Sequence, residues 1–196
     1  MTGRRVFLLG GASLALGACD RPCYEQNDAQ KAFLDGLRAL AKPALGTNNP
    51  LAIEAAAQQS MALAGKVGTF VDWCGTLKTI EGNAQNVAIT IEIGPQVSLY
   101  AFNDWTLAMA GQLADLFSTR SREAAPPGLS EGAIAALKTF RLGEHVKLAG
   151  RMGEIAGSGL FDLSRLFGKG EAENRQFLQT PRFVARIDAL AASKKT

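Results

Sequence analysis

The chain has 196 residues, 47% of them hydrophobic, with a formal net charge of +3. That is enough apolar material for one domain with a real core, and it excludes a charge-rich disordered chain. Arg4 and Arg5 supply two of the three net charges, and the +1 that remains is too small to mark a nucleic-acid or membrane partner.

The first stretch, Arg4 to Cys19, reads RRVFLLGGASLALGAC. A basic start precedes the 13-residue apolar run 6–18. A membrane span needs roughly 20 residues, so the run suits the core of a signal peptide instead. Leu16-Gly17-Ala18-Cys19 resembles the lipobox of bacterial lipoproteins. The resemblance implies acylation of the Cys19 thiol, removal of residues 1–18 and stable anchoring through the acyl chains. Arg4-Arg5-Val6-Phe7-Leu8 is similar to the twin-arginine export signal, although Ser before the pair and a basic residue after it are missing. In enterobacterial lipoproteins an Asp at the position of Asp20 resembles an inner-membrane retention signal. The expected address is the bacterial cell envelope, facing the periplasm.

Three cysteines and one histidine, with no Cys-x-x-Cys pair, argue against a metal centre. With Cys19 assigned to lipid, Cys23 and Cys74 remain. In an oxidising compartment they offer a disulfide; the alternative is two unpaired thiols.

Residues 19–27 read as a tether. A helix is expected over 28–42, capped by Asn27 and stopped by Pro43, with Phe33, Leu34, Leu37, Leu40 and Ala41 on one face. Asn49-Pro50 starts a second helix to about residue 64, with Ile53, Ala57, Met61 and Ala64 on one face. Residues 28–66 are thus a helical pair, most simply a cover for a sheet.

The period then changes to two. A strand over 69–80 places Val71, Trp73 and Leu77 inward, and Asp72, Cys74, Thr76 and Lys78 outward. Strands follow over 86–93, on alternating Val87, Ile89, Ile91 and Ile93, and over 97–102, with turns at Gly82-Asn83 and Gly94-Pro95. Residues 104–118 read as a helix or compact loop, and 120–128 as a linker. Ser130 caps a helix through residue 140, with Ile134 and Leu137 inward, ended by Gly143. A fourth strand covers 144–152, with His145, Lys147 and Arg151 outward. Residues 153–180 read as irregular, and 182–190 as the last strand with Phe183, Ala185 and Ile187 inward. Residues 193–196 read as a disordered tail.

Three strands, a helix and two more strands give an α+β, mainly β fold. It is a five-stranded OB-fold-like barrel over 67–192, preceded by two N-terminal helices. The stretches Val71-Asp72-Trp73-Cys74-Gly75-Thr76-Leu77, Ala88-Ile89-Thr90-Ile91-Glu92-Ile93, the 142–150 segment LGEHVKLAG and Thr180-Pro181-Arg182-Phe183 resemble a bacterial lipoprotein family. Its domain is similar to the tRNA-anticodon-binding type of OB fold. The resemblance implies the fold and supplies no catalytic residues.

Such barrels bind on the face of strands two and three. Outward there are Thr90, Glu92, Ser98, Tyr100 and Phe102, and the two aromatics either stack a ligand or pack under residues 104–118. Lys78, Lys147, Arg151, Arg182 and Arg186 form a second candidate surface, a basic stripe or an ordinary solvated face. His145 lies in no catalytic motif, and the glycine-rich stretch 150–159 lacks the Gly-Lys-Ser/Thr ending of a phosphate loop. No cofactor is expected. The expected function is a non-catalytic, membrane-anchored module binding an envelope protein or ligand. A nucleic-acid-binding module and an envelope enzyme are the alternatives.

Overall fold

A computed structural model describes residues 22–83, 86–103, 128–153 and 170–193. The signal stretch with Cys19 and Asp20, the helix or compact loop expected over 104–118, most of the linker at 120–128, residues 154–169 of the stretch that reads as irregular and the last residues of the tail lie outside them.

A short 3-10 turn, Cys23–Glu25, leads into α1 (Asp28–Leu45) and α2 (Pro50–Val67). β1 (Thr69–Gly82), β2 (Val87–Gly94) and β3 (Val97–Phe102) follow, then α3 (Glu131–Leu137), β4 (His145–Met152), α4 (Glu171–Gln179) and β5 (Arg182–Ala192). The strands close into a barrel in the order β1-β2-β3-β5-β4. All pairings are antiparallel except β3 with β5, where Ser98, Leu99 and Tyr100 face Arg182, Phe183 and Val184 in parallel. This is the α+β, OB-like barrel with two leading helices that the residue pattern implies.

Each of α1, α2 and α3 begins on a side-chain cap. Asn27 Oδ1 accepts from the Gln30 N–H at 2.9 Å, Asn49 Oδ1 from Leu51 at 3.0 Å, and Ser130 Oγ from Ala133 at 3.0 Å. Pro43 does not stop α1 as expected; the helix runs to Leu45. Proline there removes only the bond to the Ala39 carbonyl, and Ala39 and Pro43 both lie on the exposed side, so that carbonyl is open to solvent. Ser130 caps a helix that ends at Leu137, earlier than the 140 expected; tight i+3 bonds at Lys138, Thr139 and Phe140 then carry the chain to Gly143 (φ +86°).

β1 corrects another expectation. Val71 points outward, 66% exposed, not inward. Asp72 sits at φ 54° and the register shifts between Phe70 and Trp73. This bulge turns both Phe70 and Trp73 into the core, which strict alternation forbids. The fourth correction is α4, a helix inside the 153–180 stretch that reads as irregular. Asn174, Phe177 and Leu178 are its buried residues, at helical spacing.

The inner faces of all five strands meet in one core. An aromatic cluster fills one mouth. Phe33 of α1 stacks on Trp73 at 5.4 Å and meets Phe183 edge-on at 5.5 Å. Phe70 stacks on Trp73 at 4.8 Å, and Phe177 of α4 meets Phe183 at 5.6 Å. α1, α2 and α4 pack together over this end. At the other end α3 buries Ala133 and Leu137, and Ser130 Oγ donates to the Asp188 carbonyl at 2.7 Å.

β4 and β5 approach so closely that a Cβ on Gly150 would overlap the Arg186 carbonyl oxygen. Replacing Gly150 by alanine should therefore cost about 2–3 kcal/mol, because backbone on the partner strand must move. Urea unfolding of the variant should show a lower midpoint at unchanged slope.

Candidate functional site

Three places carry the chemistry that the residues offer. The first is the seam where β1 meets β4. Cys23 and Cys74 are joined by a disulfide with Cα atoms 6.0 Å apart, tying the 3-10 turn to β1. Asn27 Nδ2 donates to the carbonyls of Val71 at 3.1 Å and Asp72 at 3.3 Å, so the bulge also receives the start of α1. Gln30 is fully buried beside it. Its Nε2 donates to the carbonyls of Cys74 (2.6 Å) and Ile93 (2.7 Å), and its Oε1 accepts from the Cys74 N–H (2.8 Å). A depression of about 200 Å³ lies at this seam, lined by Cys23, Gln26, Asn27, Asp72, Cys74, Lys147 and Ser193.

The second place is the outer face of β2 and β3. Thr90 pairs with Tyr100 and Glu92 with Ser98. Tyr100 and Phe102 lie 5.4 Å apart, centroid to centroid, but are only 8% and 7% exposed. They present no open stacking platform. Burial pushes the Tyr100 phenol above its ordinary range, with Glu81 adding to the rise.

The basic residues do not form one stripe. Lys78 is paired with Glu92, and Arg186 with Asp188 at 2.7 Å. Arg182 lies opposite Ser98, on the β3 side of β5. Arg151 and Arg186 stand opposite each other across β4 and β5, and Lys147 stands opposite Cys74. His145 Nδ1 lies 3.2 Å from the Thr76 hydroxyl on the same seam, with no carboxylate of the described residues bonded to the ring. Among the described residues no group of three His, Cys, Asp or Glu side chains is placed to hold a metal.

The third place is a groove of about 570 Å³ between α1, the β2–β3 turn and the α4–β5 connection. Leu37, Ala41 and Leu45 form one wall; Pro95 and Val97 form a second; Leu178 and Pro181 form the third. Pro95 with Gln96 at φ 64° makes the tight turn that sets the second wall. Arg38 and Lys42 stand on the rim, and Arg38 is held at 3.0 Å by Asp35. The arrangement suits an apolar ligand or side chain, and its lining residues include no Cys, His, Asp or Glu. Residue pattern alone missed the groove, because one wall depends on α4. The spacing of Asn174, Phe177 and Leu178 was the available signal.

Against known protein families, curated proteins and solved structures, the chain gives no significant match.

Proposed function

We propose that the chain is an exported lipoprotein, acylated at Cys19, whose capped OB-like barrel serves as a non-catalytic binding module at the envelope membrane. The Cys23–Cys74 disulfide carries the reading. Such bonds persist in oxidising compartments, and this one uses two of the three cysteines and leaves the lipobox residue Cys19 for acylation. The dispersal of titratable groups supports a non-catalytic role. His145 meets a hydroxyl, and Glu92 is neutralised by Lys78. The apolar groove beside α1 supports a binding role, since clefts of about 300–1,000 Å³ are the usual size for ligand sites. The buried Tyr100 and Phe102 weigh against single-stranded nucleic acid, which needs exposed rings to stack on.

Intact mass of protein extracted from membranes tests the reading. The expected mass is that of residues 19–196 plus acyl chains, rising by two hydrogens on reduction. An unprocessed, unacylated mass from the soluble fraction would overturn it. A Cys19→Ala variant made without residues 1–18 should leave the membrane fraction altogether.

A further inference from the structure

We infer that the disulfide docks the β1–β4 seam onto the headgroups of the bilayer that holds the acyl chains; this rests on the lipid-anchor reading above. The argument begins with the length of the leash. Cys19 precedes Cys23 by four residues, a reach of at most about 14 Å when fully extended. Without the bridge, the hold on the barrel passes to the Tyr24 ring packed on the core and to Asn27, five and eight residues from Cys19, and the reach grows to about 18–29 Å. The bridge therefore brings the barrel down to the lipid and selects which side meets it.

That side is the one around Cys74. Lys147 faces Cys74 in register and shares its depression. Arg151 continues outward along β4. Neither is in an ion pair within the described residues, and the carboxylate beside Lys147 in the depression is that of Asp72. Cations at this height meet headgroup phosphates, and each strengthens attachment to an anionic surface by about fivefold. In the closed order β3 lies across the barrel from the β1–β4 seam. The groove beside the β2–β3 turn, with Lys42 on its rim, consequently opens away from the membrane.

Amine acetylation read by mass spectrometry tests this. Lipidated, oxidised protein in phosphatidylglycerol–phosphatidylcholine vesicles is compared with soluble Cys19→Ala protein made without residues 1–18. Lys147 should react several-fold more slowly on the vesicles, while Lys42 should react equally in both. Equal reactivity of Lys147 on and off vesicles would overturn the docking and leave the lipid anchor standing. Failure of the native protein to associate with vesicles would overturn the anchor itself. In a lipidated Cys23→Ser/Cys74→Ser variant, Lys147 should regain most of its reactivity while Lys42 stays unchanged. The comparison within the native protein stands even where that variant folds poorly.

Discussion

Replacing Gln30 by leucine should destabilise the protein by about 3–4 kcal/mol, although leucine has a similar length and suits a buried helix face. The β1–β2 ladder begins at Thr76 and Glu92. Beyond it, toward the α1 end, the Gln30 amide stands in for the missing rung. It satisfies both the N–H and the carbonyl of Cys74 and also the carbonyl of Ile93. Leucine would orphan these groups in a site closed to water, and a buried orphan costs about 1–3 kcal/mol. Urea unfolding should show the loss, and hydrogen exchange at the Cys74 amide should accelerate more than exchange in β5. A variant with native stability would mean that water or a shifted strand takes over these bonds.

The second large effect belongs to the disulfide. Replacing both Cys23 and Cys74 by serine releases a loop closed across 51 positions. Loop-closure entropy for that length corresponds to about 4 kcal/mol. The barrel should still form, because Asn27 and Gln30 continue to hold α1 against β1. The expected result is a cooperative unfolding transition at lower urea, with the oxidised native protein showing the same downward shift after reduction. Adding Gln30→Leu to the serine pair should cost a different amount from the two separate losses combined. Both changes act at Cys74, and neighbouring perturbations do not add. A serine pair as stable as the native chain would show that the bridge constrains little in the unfolded state.

Much of the barrel was legible because its signal is local. Val87, Ile89, Ile91 and Ile93 alternate without interruption, and all four are buried. Asn27, Asn49 and Ser130 announced their helices by cap chemistry that depends on neighbours two or three residues away. What alternation could not give was the bulge at Asp72. There a residue adopts φ 54° to receive the start of α1, a contact 45 positions distant in sequence. That contact, not the local period, sends Val71 outward. α4 was hidden for a related reason. It is a short, polar helix, EAENRQFLQ, whose few apolar residues acquire meaning only against Phe183 and α2. The groove inherits that obscurity. The seam was half visible: Cys23 and Cys74 stood out as a pair, whereas nothing around Gln30 marked a glutamine in an amphipathic helix as the clamp between two strands.

The position of β5 bears on how the chain reaches its native state. This last strand fills the gap between β3 and β4, and Phe33 near the start of the chain finds its edge-on partner in Phe183. A growing or translocating chain that lacks residues beyond 181 leaves two strand edges unpaired and the aromatic cluster without Phe183. Contacts of such long sequence separation place folding in the slow, millisecond-to-second range of barrel proteins. Until it completes, open edges are sites for pairing with other chains. A cell that makes this protein must shield an incomplete barrel until residues 182–192 are free to pair, and through its passage as well if the chain crosses a membrane unfolded.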